Sequence, residues 1–301
     1  MQNKIEVYHK PVLVNEVIEY LQPEPRKVYV DCTFGGGGHT RAILEANPSC
    51  KVVSLDWDKV ALETNGQALL DEFPGRLTLV WGNFANMLSL LKKNKINHVD
   101  GILADFGTSQ FQIKEKSGFS FAKDTPLDMR MSTAHQKMTA ANVVNSTSPQ
   151  KLREIFFTYG EEPNTNKIVK AIVEARIKKY ISTTQELVDI IEKVVPSHKG
   201  KIHPATRVFQ AFRIHVNDEL GNINSFLHAS LALLNPGGRL VCISFHSLED
   251  RMVKQFFVDN KCSEFKKGFE ILTPKIVTAS QEELSINPSS RSAKLRAAKV
   301  C

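Results

Sequence analysis

Short apolar runs alternate with helical patterns through the first hundred residues. "KVYVDC" (27–32), "KVVSLDWD" (51–58), "RLTLVWGNF" (76–84) and "VDGILADFG" (99–107) predict strands, with helices over 39–46, 60–73 and 85–94 between them. Apolar strands alternating with helices predict an α/β fold, a mostly parallel sheet covered on both faces. From about 113 to 203 the strand period disappears and helix signals dominate. Ser148-Pro149 is a start signal, Gly160 a stop, 166–180 a further helix, and Thr183 with Glu186 a capping box. These residues predict an inserted helical subdomain, 113–203, between core segments 1–112 and 204–301.

Alternation resumes at His203-Pro204. Residues 206–234 carry one apolar stripe at 208, 209, 212, 216, 220, 223 and 227, which predicts a long buried helix. "NPGGRLVCISF" (235–245) turns into a fifth strand, 247–257 reads as a helix, and segments near 269–277 and 294–300 could close the sheet.

Composition narrows the function classes. Among 301 residues, 39 basic against 32 acidic side chains give +7, which points weakly to a polyanionic partner. The five cysteines (32, 50, 242, 262, 301) form no C-x-x-C pair and none stands among histidines at ligand spacing. Neither a disulfide framework nor a metal site is expected, and a reducing interior is. The N-terminal decapeptide has no apolar region and no window approaches a membrane span, so the expected compartment is the cytoplasm, with no membrane partner.

Chemistry concentrates at "VYVDCTFGGGGHT" (28–40), where four glycines follow a strand. A Walker loop is excluded, since no lysine follows. The fingerprint G-x-G-x-x-G, tried from Gly35, ends on Thr40. What remains is strand, Asp31, glycine turn, helix, with Asp56, or its rival Asp58, placed to accept from ribose hydroxyls. NAD and S-adenosylmethionine both carry such a ribose, and these features do not separate them. "GNF" (82–84) and "ADFG" (104–107) would line the same crevice from two further strand ends.

Six blocks then resemble one family: "HKPVLVNEV" (9–17), "DCTFGGGGHTRAIL" (31–44), "GFSFAKDTPLDMRM" (118–131), "HPATRVFQAFRIHVNDEL" (203–220), "PGGRLVCISFHSLEDRMVKQFF" (236–257) and "NPSSRSAKLRAA" (287–298). The resemblance is to the ribosomal RNA small-subunit methyltransferase H family, also called MraW, and spans nearly the full length. It implies a class I, Rossmann-like methyltransferase core with a helical insert for RNA recognition. It also implies S-adenosylmethionine as cofactor and the N4 amine of a cytidine in small-subunit (16S) ribosomal RNA as target. The partner would be that RNA or the assembled small subunit, with the enzyme a monomer or homodimer. Implied cofactor contacts fall at Gly37, Gly38, His39, Asp56, Phe84, Asp105 and Gln112. The chain departs from the family pattern at Gly36, Lys114 and Pro163.

A cytosine N4 lone pair is delocalised, so an enzyme must align the amine with the donor methyl and offer its N–H an acceptor. Methylation at carbon 5 would need a cysteine after proline or threonine, and none of the five stands there. Candidate catalytic groups are Asp105, Ser109 and His246; Asp105 either orients the amine or only positions the cofactor. His246 either meets the substrate or caps the next helix. No G-x-S-x-G occurs, which excludes a hydrolase elbow.

Candidate RNA contacts are Arg130, Arg207, Arg213, Arg291, Lys294 and Arg296. Each has a plain alternative. Arg130 could pair with Asp128, Arg207 and Arg213 could lie on a solvated or ion-paired helix face, and the others on a solvated tail. Two other functions remain open: a methyltransferase of another nucleic acid, and a catalytically idle RNA-binding assembly factor of the same fold.

Overall fold

The computed structural model describes residues 10–107, 117–134, 136–198, 200, 202–264 and 267–301. The chain divides into two compact units, 1–109 with 220–301 and 110–219.

In the first unit the described strands form one seven-stranded sheet: β1 (Val28–Asp31), β2 (Lys51–Asp56), β3 (Leu77–Trp81), β4 (Val99–Asp105), β5 (Leu234–Ser244), β6 (Phe269–Ile271) and β7 (Lys294–Val300). Their order is β3-β2-β1-β4-β5-β7-β6. The first five run parallel and β7 is antiparallel to both its neighbours. Strand order reverses between β1 and β4, a switch point where ligands of open α/β sheets bind.

The two-residue period of a strand builds two cores from one sheet. Val30, Val53, Leu55, Ile102, Leu240 and Cys242 face α4 (Met87–Lys93), α10 (Glu219–Leu233) and α11 (Ser247–Asp259). Their neighbours Tyr29, Val52, Leu103, Val241 and Ile243 face α1 (Val14–Leu21), α2 (Gly38–Ala46) and α3 (Lys59–Glu72). Tyr29 lies opposite Gly101 in register, and a Cβ on Gly101 would stand 2.6 Å from the Tyr29 ring and 2.9 Å from Leu21. Gly101→Ala is therefore expected to cost about 1–3 kcal/mol by overpacking, read as a lower denaturation midpoint at unchanged slope.

The second unit is helical: α5 (Ala140–Ser146), α6 (Pro149–Gly160), α7 (Thr165–Lys178), α8 (Thr184–Val194) and α9 (Pro204–Asn217). Its capping signals appear as the sequence predicts. Ser148 accepts from the Lys151 N–H, and Thr183 and Glu186 form a reciprocal box. Gly160 also admits the neighbouring helix, since a Cβ there would stand 2.7 Å from the Arg207 carbonyl.

Two expectations need correction. The long helix over 206–234 is broken at Asp218, which takes a left-handed backbone (φ 48°) that aspartate tolerates. The apolar face of α9 (Ala205, Val208, Phe209, Phe212) packs with Ile155, Phe156 and Ile168, so α9 belongs to the helical unit, which runs 110–219 rather than 113–203. Secondly, Cys262 and Cys301 form a disulfide across 39 residues. Backbone pairing draws them together: Cys262 donates to the Phe269 carbonyl and Cys301 to that of Gly268, each at 3.1 Å. Counting cysteines does not reveal such a contact. The other three cysteines are buried and free. No helix among the described residues is long and apolar enough to cross a membrane.

Candidate active site

The parallel register brings Asp31, Asp56 and Asp105 to one edge of the sheet as the last residues of β1, β2 and β4. The glycine turn follows Asp31 at the switch point. Gly35 and Gly37 both have positive φ, 50° and 76°, which explains glycine there without a ligand. At Gly37 and Gly38 the space of a Cβ is already filled by protein: Leu69 at 2.9 Å and Pro11 at 2.6 Å. At Gly35 the space is open, with only the Thr33 carbonyl at 4.0 Å. Gly37 and Gly38 thus serve the tight approach of the α2 start to α3 and to the segment leading into α1, while Gly35 leaves open space.

Asp56 ties the turn to β2, its Oδ2 accepting from the Gly35 N–H and its Oδ1 from the Asp58 N–H, both at 2.8 Å. Asp58 itself caps α3 through the Val60 N–H, so Asp56 rather than its rival faces the turn. Burial pushes the Asp56 carboxyl up to about 6, against the pull of the Asp58 and Gly35 amides. Burial likewise pushes Asp105 up to about 6, against the nearby His39 and the Gly107 N–H. Its Oδ1 is shielded from solvent and has no hydrogen-bond partner among the described residues.

Beneath the turn lies a network that no local motif announces. Thr40 donates to Asp31 Oδ2 at 2.7 Å and shares a hydrogen bond with Ser54, all three side chains being fully buried. Thr33 donates its N–H to Asp31 and accepts from the Asp105 N–H at 2.8 Å. Asn65 donates to the Gly35 carbonyl. The residue that breaks the dinucleotide fingerprint, Thr40, is therefore the one that fixes Asp31. That spacing of nine was the available signal.

Other predicted residues distribute unevenly. His39 is buried with its Nε2 2.8 Å from the Val12 carbonyl, and its ring lies near enough to Asp105 to act on that carboxyl. Phe84 is half-buried in an aromatic triad with Phe106 and Phe226 at 6.0 and 5.7 Å. His246 caps α11 in a reciprocal box with Glu249, as one of its two readings expects. Its Nε2 lies 3.1 Å from Glu249 Oε1, yet misaligned for a hydrogen bond. Ser109 and Gln112 lie outside the described residues.

Three of the candidate RNA contacts are occupied by carboxylates. Arg130 forks onto Asp128 at 2.7 and 2.8 Å, Arg213 onto buried Glu219 at 2.9 and 3.0 Å, and Arg296 onto Asp250 at 2.6 and 3.1 Å. A guanidinium held in both arms by a carboxylate is not free to fork onto a phosphate. The expected basic tail is strand β7 with Arg296 buried in it. Arg207 stays exposed, touching the Glu161 carbonyl, and Arg291 and Lys294 remain exposed and half-buried.

Electrostatics separate the two cofactors that the sequence left open. Asp31 repels both Asp56 and Asp105, and Glu249 adds to the field at Asp105. A crevice rimmed by carboxylates disfavours a pyrophosphate and favours a cation. S-adenosylmethionine carries a sulfonium and an ammonium. The unpartnered Asp105 oxygen and the acid cluster fit that group.

The chain's sequence relatives agree. The family model described as "MraW methylase family" matches residues 6–301. A protein of Syntrophotalea carbinolica named "Ribosomal RNA small subunit methyltransferase H" is 47% identical, covering 96% of each chain. The protein of that name from Sulfurihydrogenibium sp. is 48% identical, covering 96% of this chain and 98% of its own. Among solved structures, an rRNA methylase from Streptococcus thermophilus is 12% identical, covers 95% of this chain and 92% of its own, and overlays at a TM-score of 0.43.

Proposed function

Since the chain belongs to the MraW methylase family, we propose that it transfers a methyl group from S-adenosylmethionine to the N4 amine of a cytidine in small-subunit ribosomal RNA. The names of relatives 47–48% identical over nearly the whole chain support the RNA. The observation that carries the crevice's role is the buried, unpartnered Asp105 oxygen among carboxylates beside an uncapped helix start. The proposed compartment is the cytoplasm, where the ribosomal substrate resides.

When bound, the cofactor supplies an electrophilic methyl on sulfur. Asp56 would hold the ribose hydroxyls, Asp105 the ammonium, the amides at the start of α2 the carboxylate, and Phe84 would border the adenine. The protein's task is alignment and exclusion of water, because a delocalised amine attacks only when held in line. The amine would form its N–C bond as the donor's S–C bond breaks to leave a neutral thioether, and its displaced proton would pass to water. Cysteine chemistry at the ring carbon is disfavoured, since burial pushes the thiols of Cys32, Cys50 and Cys242 up and keeps them protonated.

Both site carboxylates must be ionised to accept from the cofactor. Cofactor affinity is therefore expected to be flat above pH 7 and to fall as pH drops through about 6, where protons compete for Asp56 and Asp105. Titration calorimetry between pH 5 and 8 reads this directly. An affinity unchanged at pH 5 contradicts it. The reaction is tested with labelled S-adenosylmethionine and unmodified small subunits, followed by digestion of the RNA. Labelled N4-methylcytidine is the expected product; label on another nucleoside, or none, overturns the proposal.

A further inference from the structure

The helical unit carries 17 lysines and arginines against 12 aspartates and glutamates, five of the seven excess positive charges of the whole chain. Several of these cations are already engaged. Arg176 closes the end of α5 through the Val144 and Thr147 carbonyls, both at 2.8 Å, and Lys179 is paired with Glu186. Helix α7 sorts the others by face. Ile168, Val169 and Ile172 are buried in the unit's core. At 100° per residue, Lys167, Lys170, Glu174, Ile177 and Lys178 fall on the opposite side as one stripe.

Lys167 and Lys178 are exposed and make no ion pair or hydrogen bond among the described residues. Lys170 only approaches Glu174, at 3.9 Å. The stripe from Lys167 to Lys178 is about 16 Å long, enough to follow several nucleotides. It ends on two apolar side chains in water, Ile177 at 80% exposure and Tyr180 at 53%. The two unpaired lysines at its ends suit phosphates, and an exposed tyrosine beyond Lys178 offers a flat face for an unstacked base.

We propose that the outer stripe of α7, Lys167, Lys170 and Lys178 with Tyr180 at its end, is a docking surface for single-stranded or loop RNA. The partner is chosen by charge complementarity, and the inference rests on RNA being the substrate. The stripe contributes affinity through phosphates and one stacked base, without reading sequence.

The test uses the full-length Lys167→Glu/Lys178→Glu variant and a separate Tyr180→Ala variant, with fluorescently labelled small-subunit RNA over a series of salt concentrations. The double variant is expected to bind at least about tenfold more weakly at low salt, with the log–log salt slope reduced by about 1.5. Tyr180→Ala should weaken binding about tenfold at unchanged slope. Cofactor affinity, measured alongside, stays at the wild-type value and shows that the fold is intact. Wild-type RNA affinity and slope in both variants overturn the proposal, as does a loss confined to assembled subunits, which would mark a protein partner. A wild type that binds RNA but methylates none overturns the proposed function alone. A wild type that binds no RNA overturns both.

Discussion

An Asp105→Asn enzyme is expected to bind S-adenosylmethionine about 10- to 100-fold more weakly and yet to unfold at a higher temperature than the wild type. Both effects come from one buried oxygen. Asp105 Oδ1 is shielded from water with no hydrogen-bond partner among the described residues, and its carboxyl is pushed up to about 6 by burial. Keeping it ionised at pH 7.5 costs the cofactor-free fold. The folded value lies above the unfolded one, so the group's contribution to stability is fully present below about pH 4 and is lost as pH rises through about 6. Asparagine removes that loss, but it also removes the charge that the cofactor's ammonium needs. Thermal unfolding at pH 5 and 7.5, beside a calorimetric titration, separates the two. The stabilisation should be larger at pH 7.5. A variant with wild-type affinity would mean that Asp105 does not face the cofactor.

The largest effect on stability is expected from Arg296→Met, at about 3–5 kcal/mol. Arg296 lies within β7, 8% exposed, and its guanidinium meets both oxygens of Asp250 on α11. Removing the cation leaves a half-buried carboxylate without its bidentate partner. The double variant Arg296→Met/Asp250→Leu should recover most of the loss, because no charge is then stranded. Urea denaturation of the two variants checks this. Were Arg296 instead an RNA contact, Arg296→Met would lower RNA affinity and leave the denaturation midpoint in place.

These two residues also show what a sequence discloses. The α/β core was legible because the parallel strands are short apolar runs, and because Asp31, Asp56 and Asp105 each end one. The caps of α6 and α8 were legible because a side chain and the N–H it accepts from lie three residues apart. Long-range partnership was not. Arg296 and Asp250 are 46 residues apart, and nothing local in "AKLRAA" separates a buried ion pair from a solvated tail. Asp218 hid the break between α9 and α10 because the apolar stripe runs on across it. The disulfide depends on the antiparallel meeting of β6 and β7, which spacing alone does not predict. The resemblance implies cofactor contacts at Gly37 and Gly38, but nothing in "FGGGGHT" discloses that Leu69 and Pro11 already fill the space of a side chain there.

The central claim is that the acid-rimmed crevice holds the methyl donor, and calorimetric titration of the wild type with S-adenosylmethionine and with NAD at pH 7.5 tests it most directly. The account predicts one S-adenosylmethionine site per chain, weakened in Asp105→Asn, and no heat with NAD. Binding of NAD, or S-adenosylmethionine binding indifferent to Asp105, would contradict it.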